Sequence, residues 1–235
     1  MRNEDDLISN LNYYYDRSMT VLNDFGGPSV YFHTQAVREH DANFLSDRHI
    51  EMIYATLASW GMHRMGDPQD TKAKMVEFED FKQSILSHSD DLQQARRLKM
   101  DSCTQEQYEQ SIESLKEVYF SLKVSISNAT IVAHSKTLAH ILPNLIPPID
   151  RQYTVRFFTQ DNKDFFTKSG KYKGINLPQK SEAQFDVFKK YSSKMKALFD
   201  RCDHRLFRLD SIFNTSFPKI IDNLIMAFVK DVSKP

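Results

Sequence analysis

Few places to turn are available to this chain. Its 235 residues include only 6 glycines and 8 prolines, so its regular elements must be long. Long elements whose apolar residues recur three and four positions apart are helices. That spacing runs through most of the sequence. Leu7, Leu11, Tyr14, Leu22 and Phe25 share a face, with Tyr15 and Met19 beside them, and predict a helix over 5–25. Gly26, Gly27 and Pro28 stop it, and Pro28 with Ser29 opens the next, over 28–42.

Ser46 is a suitable N-cap for a helix carrying Ile50, Ile53, Tyr54, Leu57, Ala58 and Met62. Gly61 interrupts that pattern beside the only tryptophan, Trp60, which signals close packing or a fraying end. Asp67 and Pro68 read as a further helix start. Two helices are expected within 71–99, parted near Ser87–Asp91, and another over 104–122 with Tyr108, Ile112, Leu115, Val118 and Tyr119 on one stripe. A helix over 128–142 is ended by Pro143, and one from Asp150 to about Phe158 follows. The stretch 161–180 has no period and holds Gly170, Gly174 and Pro178, so it reads as the longest loop. Ser181 opens a helix reaching about Asp210, and Ser216, Phe217 and Pro218 open the last, with its stripe at Ile220, Ile221, Leu224, Ile225 and Phe228. The expected fold is all-α, a single globular multi-helix domain over 1–235; a division into two lobes would fall near 100–125. No internal repeat or sustained heptad appears.

With 40% hydrophobic and 26% charged residues, the chain can bury an ample core without metal or disulfide support. Cys103 and Cys202 sit in polar surroundings without CxxC spacing and read as free thiols of a reducing compartment. No apolar run approaches the length of a membrane span. The opening residues are acidic where a secretory signal would be basic. A cytoplasmic protein without membrane contact is expected. Lys plus Arg equals Asp plus Glu at 31 each, so any contact with nucleic acid must rely on local patches.

Several chemistries find no support in the sequence. The 8 histidines form no HxxxH or HExxH pair; His134 and His140 lie about 120° apart around a helix, and His33 and His40 are two turns apart. No metal site and no cofactor is expected. GxGxxG, GxxxxGK[ST] and GxSxG are all missing, which removes nucleotide cradles and the nucleophile elbow.

One segment carries chemistry. On a helix, Ile131, Ser135, Leu138 and Leu142 face a core, while Val132, Lys136 and His140 form a second face with two titratable groups one turn apart. Pro143 ends the helix. Pro147 and Pro148 then stiffen the backbone and aim Asp150 at the start of the next helix. A carboxylate there is held ionised by free N–H groups and the helix dipole. If the two helices fold back on each other, Lys136, His140 and Asp150 line one cleft.

A helix bearing a lysine, a short connection and an aspartate opening a following helix resembles the helix-hairpin-helix DNA glycosylases over about residues 126–158. The resemblance implies an all-α, DNA-binding hydrolase that cleaves the bond between base and sugar. It assigns Asp150 as the catalytic carboxylate and Lys136 as the residue that, in some members, forms a Schiff base. Trp60 would stack on an extruded base. His140, Arg151 and Arg156 would contact substrate, with Lys168, Lys171 and Lys173 extending a phosphate-binding rim. The chain departs from the family in lacking glycine in the stretch 125–129 and in its short spacing from Lys136 to Asp150. No cysteine cluster for an iron–sulfur site follows.

Each residue also has a plainer reading: Asp150 as an N-cap, Lys136 as a solvated lysine, His140 as a cation at a helix C-terminus, Trp60 as core. A non-catalytic helical protein is the alternative. It would bind a partner or form a homo-oligomer through its amphipathic terminal helix and the run Tyr13, Tyr14 and Tyr15.

Overall fold

The computed structural model describes residues 3–22, 26–64, 74–126, 130–160, 167, 177–210 and 212–232. It is a single all-α domain. Among the described residues there is no strand, only an isolated antiparallel bridge between Met75 and Ser125. The helices are α1 (Glu4–Ser9), α2 (Leu11–Leu22), α3 (Pro28–Ala42), α4 (Asp47–Ser59), α5 (Phe78–Leu86), α6 (Ser89–Ala95), α7 (Gln105–Ser114), α8 (Lys116–Ser121), α9 (Ile131–Ile141), α10 (Ser181–Arg201) and α11 (Phe217–Val232). A single π-helical turn, Arg151–Val155, follows the proline bend.

Local signals account for most starts and stops. Pro28 occupies the first position of α3, after Gly27 at φ 60°, a left-handed conformation that favours glycine. The Ser46 hydroxyl accepts from the His49 N–H at 3.1 Å and caps α4. Gly61, at φ 84°, takes the chain out of that helix directly after Trp60.

Three predicted helices are shorter or divided. The first breaks at Asn10, whose side-chain amide donates to the Asp6 carbonyl at 2.9 Å and closes α1 locally. The helix over 104–122 is divided at Leu115, which ends α7 and begins α8. The one expected to reach Asp210 stops at Arg201, because Cys202 turns extended and the Asp203 carboxylate nucleates a short turn over His204–Leu206. The start expected at Asp67 and Pro68, most of the loop over 161–180, and Lys168, Lys171 and Lys173 lie outside the described residues.

α11 is the centre of the molecule. Ile220, Ile221, Leu224, Ile225, Ala227, Phe228 and Val229 are all buried, and the helix packs against α2, α10 and the π-helical turn. Its apolar stripe, expected to face a partner, is covered within the chain. Of the tyrosine run, Tyr14 is buried against Phe228 with ring centroids 5.0 Å apart, and Tyr13 is exposed. α9 is the second buried rod, in contact with α3, α4 and α10. Its N-terminus is capped from outside. Gln184 of α10, itself 1% exposed, places Oε1 where it accepts from the Thr130 N–H at 2.8 Å and the Ile131 N–H at 3.1 Å. These are helix-end donors that burial would otherwise leave unsatisfied.

Candidate functional site

The site begins with a backbone clamp. After Pro143 the chain doubles back along α9, anchored by Leu145, Ile146 and Ile149, all buried. Ser135, in the middle of α9, accepts from the Ile149 N–H at 3.2 Å and lies 3.2 Å from the Ile149 carbonyl oxygen. That hydroxyl fixes the returning strand of chain one residue before Asp150. The Asp150 N–H then donates to the Thr154 hydroxyl at 3.2 Å. The next turn closes five residues on, with the Val155 N–H donating to the Asp150 carbonyl at 3.0 Å. Wider turns of this π type recur at functional positions.

Both carboxylate oxygens of Asp150 are engaged. Oδ1 accepts from the Gln152 N–H at 2.7 Å, and Oδ2 accepts from the Lys136 ammonium at 3.1 Å. Asp150 is therefore the N-cap that one reading of the sequence proposed, and it is at once paired with Lys136. Burial pushes its carboxyl up, but the Lys136 charge with the Gln152 and Tyr153 N–H groups outweighs burial and holds it below the ordinary carboxylate value. Asp150 is thus an aimed, ionised carboxylate at neutral pH.

Trp60 completes the group. The Lys136 ammonium lies 5.4 Å from the centre of its ring, within cation–π range. The indole N–H donates to the Ser29 carbonyl at 3.2 Å, which ties the ring to the start of α3, and the His140 and His33 rings pack on it with centroids 5.0 and 5.7 Å away. Lys136, Asp150 and Trp60 all line one cavity of about 510 Å³, a size within the about 300–1,000 Å³ range of small-molecule sites. Gln152 and Ile212 also line it and are exposed, so it opens to solvent.

Behind this wall sits a buried histidine pair. His33 Nδ1 and His140 Nε2 are 3.0 Å apart. His140 Nδ1 faces the Lys136 carbonyl at 2.7 Å, so it carries a proton and donates. That leaves Nε2 of a neutral His140 as the acceptor for His33. Burial lowers the His140 imidazole to about 4, the positive charges of Lys219 and Lys136 acting in the same sense. His140 is therefore neutral at pH 7, and not the helix-end cation that its place before Pro143 suggested. Only 2% exposed, it supports the wall from behind, and it is His33 that reaches the cavity. His33 is held well below the ordinary histidine value by burial first, then by His140 and Lys219.

Arg151 is exposed and Arg156 half-buried, and neither lines the cavity. Sequence reasoning missed His33, Tyr153, Phe213, Lys219 and Asp222, which do. Lys219 and Asp222 carried one signal, their spacing of one helical turn on α11. Such a pair ordinarily marks a solvated face, whereas here both side chains are largely buried, at 15% and 12% exposure. Among the described residues, no group of three or more His, Cys, Asp or Glu side chains is placed to hold a metal ion, and no helix is long and apolar enough to cross a membrane.

Comparison with known proteins returns no match. No family model, no curated protein and no solved structure matches this chain.

Proposed function

We propose that the protein excises a base from DNA by cleaving the bond between base and sugar. The observation that carries this reading is the Lys136–Asp150 contact of 3.1 Å at the wall of a solvent-open cavity whose other wall is Trp60. As the base departs with the bonding electron pair, positive charge develops on the sugar. An ionised carboxylate held by two N–H groups and a lysine is preorganised to stabilise it. Water then supplies hydroxide to the sugar carbon, and its proton goes to the departing base. Asp150 stabilises the sugar and orients that water. Trp60 offers a face on which an extruded base can stack. Lys136 positions Asp150. In the covalent route its neutral amine takes the place of water, attacking the sugar carbon as the base leaves with one amine proton. The bond from that carbon to the ring oxygen then breaks, the oxygen taking the second proton, to leave a Schiff base.

Duplexes carrying uracil, alkylated or oxidised bases test the reading when base release is followed by chromatography. Wild-type protein is expected to release at least one of them, and Asp150→Asn to lose release while binding the same duplex. Retained base release in Asp150→Asn removes the mechanism. Borohydride trapping separates the two roles of Lys136. A covalent adduct that disappears in Lys136→Ala marks the amine as nucleophile, and release without an adduct assigns the hydrolytic route.

A further inference from the structure

The cavity holds a second ion pair that the excision chemistry leaves unused. Lys219 donates to Asp222 Oδ2 at 2.5 Å, one turn along α11. The Lys219 ammonium lies 6.0 Å from the centre of the Trp60 ring, against 5.4 Å for Lys136. The indole is thus flanked by two ammonium groups, each already paired with a carboxylate. Among the described lining residues the two lysines and two aspartates cancel in charge, and His33 adds none.

That balance says what the cavity suits. An incoming anion must compete with Asp150 and Asp222 for each ammonium, and a cation must compete with the lysines for each carboxylate. A neutral, flat ligand is repelled by neither sign of charge, and it can use the donors of Lys219 and the lone pairs of Asp222 that their own contact leaves over. Its ring can lie against the part of the indole that lines the cavity, whose own N–H is already taken by Ser29. Its edge meets an acceptor, Asp222, beside a donor, Lys219.

We propose that Trp60, Lys219 and Asp222 form a subsite for a neutral nucleobase-type heterocycle, stacked on the indole and read through an N–H donor next to a hydrogen-bond acceptor. The proposal deepens the excision reading and rests on it for its nucleic-acid setting. Hydrogen bonds to charged groups are the strong ones, so Asp222 and Lys219 set which edge is accepted while Asp150 and Lys136 act at the sugar.

Trp60 is the only tryptophan, so intrinsic emission of the full-length protein reports occupancy of this cavity. Titration with uracil, cytosine, adenine and hypoxanthine is expected to give a saturable change for at least one base. The N-methylated counterpart without N–H groups (1,3-dimethyluracil for uracil) is expected to bind at least about tenfold more weakly, as loss of one charge-assisted hydrogen bond implies. Asp222→Asn should weaken the base to a similar degree, and the methylated ligand makes the same test on unaltered protein should that variant fold poorly. The subsite is overturned if no base gives a saturable change, if the methylated counterpart binds equally well, or if inorganic phosphate binds as tightly. Base release from a duplex without free-base binding sinks the subsite and spares the excision reading. Free-base binding with no release from any duplex does the reverse.

Discussion

Lowering the pH from 7 to 5 should destabilise this protein far more than its carboxylates can explain, because several of its histidines are buried neutral. Burial takes His49 from its ordinary value of 6.5 to about 3, and takes His134 and His140 to about 4. The geometry agrees with the direction. His49 Nδ1 accepts from the Leu45 N–H at 3.1 Å, and a proton on that nitrogen would set donor against donor. The sign comes from linkage. Each folded-state value is depressed, so the unfolded chain takes up protons first; stability is fully present above about 6.5 and falls as the pH drops toward the folded values. From pH 7 to 5 each of the three forfeits about 2 kcal/mol at 1.36 kcal/mol per unit, about 6 kcal/mol together. That is comparable to the whole stability of a typical domain, about 5–15 kcal/mol. Asp150, whose folded value is lowered, contributes stability that is lost only below the carboxylate range, outside this window. Urea denaturation at constant ionic strength, followed by far-ultraviolet circular dichroism at pH 7, 6 and 5, measures the effect. These three histidines alone are expected to give a slope of about 3–4 kcal/mol per pH unit below pH 6, and His49→Asn, which keeps an acceptor for Leu45, should reduce the slope by about 1.3 kcal/mol per unit. A stability that stays level between pH 7 and 5 would refute the reasoning.

Three further outcomes are expected. Ser135→Ala removes the hydroxyl that satisfies Ile149 in the core and should cost about 1–3 kcal/mol in urea denaturation, together with any base release that depends on the placement of Asp150. Gln184→Ala strips the acceptor from the N-terminus of α9 and should cost a similar amount, read as a lower Tm. Lys196, 2% exposed and paired with Asp200 at 2.5 Å, should tolerate Lys196→Met with little loss of stability, whereas Asp200→Ala, which leaves the buried ammonium alone, should be the more damaging of the two.

The helical architecture was legible because its punctuation is local. Pro28, Ser46 and Pro143 act through their own backbone and side-chain chemistry within a few residues, and the elements begin or end where these residues stand. The breaks at Asn10 and Leu115 were not legible, since the apolar period runs through both. Periodicity also could not show how deep a helix lies. The stripe of α11 looks like an amphipathic surface helix, but α2 and α10 cover it and every side chain over 220–229 is buried. For the same reason Lys219 and Asp222 read as an ordinary exposed pair. The half of the site contained in one segment, Lys136 and Asp150, was readable from the proline bend. The half that α3 and α11 bring from the two ends of the chain left no mark on any single window of sequence.

The π-helical turn at Arg151–Val155 makes the site sensitive to chain length as well as to residue identity. It accommodates one residue more than an α-helical turn would, and each residue added to or removed from a helix rotates the rest of that helix by about 100°. Deleting Arg151, which does not line the cavity, would let the segment relax into an ordinary α-helix, while Ser135 still held the chain at Ile149. Tyr153 would then swing away from the cavity, and the N–H groups now turned toward Asp150 would point elsewhere, with every named side chain of the site still present. Among sequences descended from this one, a single-residue gap over 151–155 is therefore expected to mark loss of the site as surely as replacement of Asp150 itself.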